Sequence, residues 1–466
     1  MRTVTVIGGG ISGLAAAWAL RDTARVVVLD TAPQVGGKLR TGRVAGVPVD
    51  LGAESMTAMR PEAVRLAEDV GLADALCTPR PAPVTVWSRG ALRTMPPGHV
   101  MGIPTRLDEL AASGLLSDHG MAQLRRAEEL VPPTTSADVA DVTVGEYLTP
   151  LLGEEAVERL IAPLLGGIHA GDVNRLSLAS VMPQLAAIAQ DGEPLLAALR
   201  RKLSTGGDAP RPSPVRGVAG GLGHFAQEVA RASGATVLTG TTALALDSEP
   251  RGASGWRTHA ATADGLLTLD SDAVVLALPA HGAAPLLRPH APLAAEALAG
   301  IDHATSAVVT LAFSRDGTTP GPLTERNGFL VPPGEGAAVK GATFLSTKWS
   351  WQSDAAPDLF LLRASLGRAG NDTVSSLTDT QLLRVTVQDL TAAIGPLGSP
   401  LATEVTRWDR GLPQYHVGHS ERVRRIRGGL AGHPGLAVCG AAYDGVGVSA
   451  CVASGFTAAR VVMVGH

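Results

Sequence analysis

The chain has 466 residues and a formal net charge of −4, with 45% hydrophobic and 18% charged residues. That length calls for more than one domain, and the composition excludes a disordered chain. The slight acidity leaves no electrostatic footprint for nucleic acid. Cys77, Cys439 and Cys451 have neither zinc-site spacing nor a disulfide framework, so a reducing compartment and no metal are expected. No apolar stretch is long and glycine-poor enough for a membrane span, and the run after Arg2 reads as a strand rather than a signal peptide.

The opening Val4 to Asp30, VTVIGGGISGLAAAWALRDTARVVVLD, reads as strand, tight turn, helix and strand. Val4 to Ile7 and Arg25 to Leu29 are β-branched runs, and Ile11 to Leu20 is rich in Ala and Leu. Gly8, Gly10 and Gly13 make G-x-G-x-x-G between strand and helix. In that position the first glycine allows the turn, the second lets a pyrophosphate approach, and the third lets helix and sheet pack closely. The helix start offers free N–H groups and a positive dipole end to the anion. Asp30 ends the second strand, where a carboxylate can accept from a ribose hydroxyl. The turn points to a dinucleotide without separating FAD from NAD. Its bland alternative is a glycine-rich turn in some other α/β protein.

Gly36 and Gly37 then mark a backbone that bends close to something, and Lys38 can reach a phosphate. Val47 to Leu51 is extended and ends in Gly52, Ala53, Glu54 and Ser55; an ordinary surface hairpin explains this section equally well. Pro61 to Leu76 has a helical apolar face of Val64, Leu66, Ala67, Val70 and Leu72. Val84 to Trp87 and Leu92 to Met95 form a hairpin about Arg89-Gly90. Leu107 to Leu203 is mostly helical, with breaks expected at Pro132-Pro133 and Gly166-Gly167, and Ser204 to Pro214 is a loop.

A helix follows at His224 to Ala232, then a meander of short strands, then the apolar strand in Asp272 to Pro279. Ser306 to Phe313, Ala342 to Trp349 and Leu359 to Leu366 alternate as strands of a sheet that would floor a substrate chamber. Leu377 to Ile394 is a helix, Leu436 to Cys439 another buried strand, and Ser449 to Val462 the last helix.

GGGISGL, the GGK turn, DLGAES and the returning apolar strands resemble the FAD-dependent amine oxidase superfamily. Within it, WDRGLPQYHVGH at Trp408 to His419 and CGAAYDGVGVSACVASG at Cys439 to Gly455 resemble protoporphyrinogen and coproporphyrinogen III oxidases, most of all the soluble Gram-positive type. The Gly-Val-Gly-Val run departs from the acidic, proline-bearing version common in these relatives, with Ser449-Ala450 in its place.

The resemblance implies an α/β fold: a Rossmann-like FAD-binding domain, a mixed-sheet substrate domain and a helical insertion. The FAD-binding parts are expected at 1–80, 216–280 and 409–466, a substrate and helical insertion at 81–215 and the substrate sheet domain at 281–408. It implies pyrophosphate contacts from Gly8, Gly9, Gly10, Ile11, Ser12 and Gly13, and ribose contacts from Asp30 and Thr31. Lys38 stands after the paired glycines. Gly52, Ala53, Glu54 and Ser55 would pass near the ribityl chain and ring, and the backbone of Ala243 would bond adenine. Trp408 would pack near the flavin, and Val446, Gly447 and Val448 would line its pyrimidine end.

The implied reaction is a six-electron oxidation of a porphyrinogen in three hydride transfers to flavin N5, with molecular oxygen as acceptor and hydrogen peroxide as product. Coproporphyrinogen III is preferred over protoporphyrinogen IX. An amine oxidase, a carotenoid desaturase or a non-enzymatic escort on the same fold are the alternatives. No catalytic acid or base is named; His416 and His419 suit structural roles better. Arg89, Arg93, Lys348 and Arg363 are candidates to hold the propionates at a chamber mouth. A cytoplasmic protein is expected, with room for a peripheral membrane contact and for a haem-pathway enzyme that receives the porphyrin.

Overall fold

The computed structural model describes residues 1–130, 141–190, 193–204, 213–248, 255–315 and 323–464. The expected break at Pro132-Pro133 and most of the Ser204 to Pro214 loop lie outside them.

Five parallel strands make the first sheet, in the spatial order Thr236–Leu238, Ala24–Leu29, Arg2–Ile7, Ala273–Leu276 and Leu436–Val438. Sequence-distant segments thus pair edge to edge. Ala273–Leu276 runs beside Arg2–Ile7 with Val6 opposite Val275, and Leu436–Val438 closes the far side. Val4, Val6, Val28, Val274, Val275 and Leu276 are fully buried. Strands covered on both faces need such uninterrupted β-branched and aliphatic runs.

The helices Ile11–Leu20 and Val448–Val464 cross one face. Their contact is close because it is made of small residues. A Cβ on Gly455 would lie 2.2 Å from the Ser12 carbonyl oxygen. The chain's two ends are therefore locked together.

The second sheet has seven strands, in the order Ala402–Pro413, His303–Ser314, Leu359–Leu366, Val339–Phe344, Gly328–Leu330, Thr85–Ser88 and Ala91–Thr94. It is antiparallel except where Leu330 pairs with Val86. One face packs on the helix Asp379–Ile394 through Val309, Leu311, Phe313, Phe344 and Leu362. That helix begins where Thr378 and Gln381 form a reciprocal capping box. A third sheet is the meander Thr242–Ser248, Trp256–Thr262 and Gly265–Ser271.

Three local readings change. The helix Ala162–His169 runs through Gly166-Gly167 and ends at Ala170, whose φ is +51°. Buried Leu165 and its packing outweigh the weak helix preference of two glycines. The strand expected to reach Trp349 stops at Phe344, and Leu345–Lys348 is a helical turn. The hairpin Thr85–Thr94 is no part of the helical segment; it is the outer edge of the seven-stranded sheet. No helix among the described residues is long and apolar enough to cross a membrane.

Candidate functional site

The glycine turn divides its labour by space. A Cβ on Gly8, whose φ is +110°, would sit 2.4 Å from the Ala277 carbonyl oxygen, and one on Gly13 would sit 2.0 Å from that of Gly8. Both positions are closed to side chains by the fold itself. Gly10 is different: its φ of −71° suits any residue, and a Cβ there meets nothing within 4 Å. The space in front of Gly10 is open, and the helix behind it starts without a side-chain cap or an acidic residue. Its first N–H groups have no intrahelical acceptor. Ile11 and Ser12 are buried beside it.

Asp30 ties the turn down, since its carboxylate accepts from the Gly9 N–H at 2.7 Å and the Ala32 N–H at 2.7 Å. The GGK turn lies against the same glycines, with the Gly36 N–H donating to the Gly9 carbonyl at 2.8 Å. Thr242 Oγ1 is 3.2 Å from Thr31 Oγ1, which brings the strand of Ala243 beside Asp30. Ala243 borders an irregularity in that strand's pairing.

Lys38 is half-buried, burial lowers its pKa, and it has no ion pair among the described residues. The Cys451 thiol, on the last helix, is held up by burial and is close enough to Ser12 and Lys38 to feel both. Thus Gly10, Ser12, Lys38 and Cys451 share one place. His281 and His303 meet there edge to face at 4.9 Å, each with its pKa lowered by burial first and by nearby Lys38 and Arg410 as well. A lysine without a counter-ion, free helix N–H groups and an open glycine fit a pyrophosphate.

The DLGAES segment is held from two sides. Ala53 N–H donates to the Lys38 carbonyl at 3.0 Å, and Trp408 Nε1 donates to the Leu51 carbonyl at 3.0 Å. A Cβ on Gly52 would meet the Lys38 carbonyl oxygen at 2.0 Å and the Trp408 ring at 3.1 Å, so Trp408 lies on this segment. From the seven-stranded sheet, Arg363 donates to the carbonyls of Asp50 at 3.0 Å and Gly52 at 2.7 Å. Its guanidinium is also 3.5 Å from Glu54 Oε2, and Lys348 bonds Glu54 Oε1. Burial alone would raise the Glu54 carboxyl; Lys348 and Arg363 outweigh it and hold it below its ordinary value. Nearby Asp50 is pushed up to about 6 by burial, against the hydrogen bond from Thr41, the charge of Arg363 and the Leu222 N–H.

These contacts correct the propionate candidates. Lys348 and Arg363 are not at an open mouth: a buried carboxylate and backbone carbonyls engage them. Arg89 and Arg93 lie at the opposite sheet edge from the strand of Trp408. The Arg93 guanidinium donates to the carbonyls of Ser88 at 3.1 Å and Ser113 at 3.5 Å, and Arg89 sits in the turn with φ +55°. Two-residue turns favour that backbone, so the position has a local cause.

Before the last helix, Gly445, Val446 and Gly447 leave their surroundings partly open, and Val448 begins the helix. This loop is clamped by Tyr415, which sequence reasoning passed over for its histidine neighbours. Tyr415 is 2% exposed; its hydroxyl donates to the Ala441 carbonyl at 2.6 Å and accepts from the Gly445 N–H at 2.8 Å. The His419 ring stacks on it at 3.8 Å, and His416 Nδ1 is 3.4 Å from Asp302. A buried tyrosine needs partners for its hydroxyl, a signal available in LPQYHVGH. Ser55 adjoins the short strand Met56–Thr57, and Ser449 Oγ donates to the Thr57 carbonyl at 3.0 Å. The end of DLGAES and the start of the last helix therefore meet.

The family model for flavin containing amine oxidoreductase matches residues 11–463. Coproporphyrinogen III oxidase of Mycobacterium leprae is 35% identical over 459 residues, covering 97% of this chain and 96% of that protein. The Bacillus subtilis protein of the same name is 32% identical, with 97% and 96% covered. A crystal structure from Exiguobacterium sp. 255-15, provisionally named a protoporphyrinogen oxidase, superposes with a TM-score of 0.87 at 30% identity, covering 100% of this chain and 99% of that one. Putrescine oxidase, at 18% identity and a TM-score of 0.68, shares the fold. With the match running from the first helix to the last, the chain belongs to the flavin containing amine oxidoreductase family.

Proposed function

We propose that this protein is an FAD-dependent oxidase that converts coproporphyrinogen III to coproporphyrin III. The observation that carries the reading is the joining of both chain ends around an open, cationic glycine cradle, in a chain related over its whole length to coproporphyrinogen III oxidases. FAD supplies the two-electron acceptor chemistry that no side chain has. Three two-electron oxidations consume three molecules of oxygen and yield three of hydrogen peroxide.

The residues have separate tasks. Gly8 to Gly13 present backbone N–H groups, and Lys38 a charge, to the pyrophosphate. Asp30 and Thr31 take the ribose, and the strand at Ala243 takes adenine through its backbone. Gly52 to Ser55 and Trp408 line the ring. With FAD bound, Val446 to Val448 would put the N-terminal end of the last helix toward the pyrimidine edge of the flavin and favour negative charge there. That dipole contributes about 0.3–1 kcal/mol, and more when buried. On this reading the protein works in the cytoplasm, touches a membrane at most from its surface, and passes its porphyrin to a later haem-pathway enzyme.

Anaerobic mixing tests the proposal. Coproporphyrinogen III should bleach the flavin in stoichiometric steps; an unbleached flavin after mixing would reject the reading. Protoporphyrinogen IX is the second substrate to try, because the Exiguobacterium structure carries that name at full coverage. Faster bleaching by protoporphyrinogen IX would exchange the two.

A further inference from the structure

Two cations outside the flavin cradle lack a counter-charge. Lys340 lies on the strand Val339–Phe344 and is only 5% exposed. Its ammonium has three donors, and the structure gives it one acceptor, the Gly367 carbonyl at 3.0 Å. Arg368 follows that glycine; its Nη2 donates to the Val331 carbonyl at 2.8 Å. Neither forms an ion pair with a described residue. The acids in the neighbourhood are committed elsewhere. Asp389 accepts from the Val339 N–H at 2.9 Å, Glu335 is engaged by Arg159 and the Arg89 N–H, and Glu54 by Lys348 and Arg363.

The half-buried Arg368 makes the charge of buried Lys340 more costly. Burial pushes the Lys340 amine down to about 7, with Arg368 and Arg363 adding to the effect. The site is also built with little side-chain bulk. The pairing shifts register between Val339 and Gly341, so Lys340 sits at an irregularity of the strand, and Gly341 beside it lies opposite Ser365, two residues from Arg363, and shares the Arg363 face of the sheet. Across from it, a Cβ on Gly166 would meet Arg368 Nη1 at 3.1 Å, and one on Gly167 would meet only Leu330 at 3.7 Å. Gly167 and Ile168 are exposed, so the slot between helix and sheet opens to solvent there.

We propose that Lys340 and Arg368 form a carboxylate-binding pair, in the slot between the strand Val339–Phe344 and the helix Ala162–His169, that holds a propionate of the substrate. The ligand class follows from the chemistry: a planar guanidinium fork beside an ammonium matches a carboxylate. Naming the carboxylate as a porphyrinogen propionate rests on the function proposed above. These two residues then take the role that the sequence assigned to Arg89, Arg93, Lys348 and Arg363.

The test uses FAD-loaded enzyme, with coproporphyrin III and its tetramethyl ester as fluorescent probes. Wild type should bind the acid and not the ester. Lys340→Met and Arg368→Gln should each weaken acid binding tenfold or more. They should raise KM for coproporphyrinogen III with kcat little changed and the melting midpoint held. Arg368→Lys, which keeps the charge and loses the fork, should recover only part of the affinity. Wild-type affinity and KM in both variants, with normal wild-type turnover, would overturn the pair and leave the proposed function standing. So would equal binding of acid and ester. A wild-type enzyme that neither binds coproporphyrin III nor oxidises the porphyrinogen would remove the proposed function, and this assignment with it.

Discussion

Replacing Lys348 by methionine removes one of two cations from a buried carboxylate. The Glu54 side chain is 12% exposed, with Oε1 on Lys348 and Oε2 3.5 Å from Arg363. Removing one partner of a buried pair costs about 3–5 kcal/mol, because the other charge stays behind without compensation. Arg363 remains in Lys348→Met, so the expected loss is at the low end, about 3 kcal/mol at neutral pH. That is roughly a hundredfold in the folded-to-unfolded ratio. Urea unfolding of the FAD-loaded protein reads it as a lower midpoint with an unchanged slope.

The pH dependence has a definite sign. The Glu54 carboxyl sits below its ordinary 4.5 in the folded protein. Its contribution is therefore complete above 4.5 and lost as pH falls through the lower folded value. Wild type and variant should converge in acid. Adding Glu54→Gln to Lys348→Met removes the stranded charge and should restore more than half of the loss. A difference under about 1 kcal/mol at pH 7, or a gap that stays constant into acid, would refute the ion-pair argument.

Four further outcomes are expected. Gly10→Val should purify folded and colourless, since its backbone suits valine but the side chain fills the pyrophosphate's approach; absorbance of bound FAD and a melting curve check both halves. Gly13→Ala, by contrast, should lower the melting midpoint of the apoprotein, because the new methyl group lands 2.0 Å from the Gly8 carbonyl oxygen. Tyr415→Phe keeps the stack on His419 but strands the Ala441 carbonyl and the Gly445 N–H. It should cost about 1–3 kcal/mol and weaken FAD binding measured by flavin release. Asp50, raised to about 6, binds its proton more tightly when folded, so stability falls as pH rises between 3.8 and that value. Asp50→Asn should flatten that decline in urea titrations.

Local chemistry was enough for much of this protein. The glycine turn, its two β-branched strands and Asp30 stand within thirty residues, and their fold is set by neighbours in the chain. The apolar strand Ala273–Leu276 was readable because burial on both faces leaves an uninterrupted run, and the last helix because its buried side is a long series of small and apolar residues. Propensity failed where packing overruled it, as in the helix through Gly166-Gly167.

Partnership between distant residues was a matter for the tertiary structure. Lys348 and Arg363 look like any chamber cations until Glu54, some three hundred residues earlier, is brought against them. Tyr415 becomes a clamp only when the loop at Ala441 to Gly445 folds over its hydroxyl. A charge's role depends on what lies within a few ångströms of it, and sequence spacing carries that information only inside a helix, a strand or a tight turn.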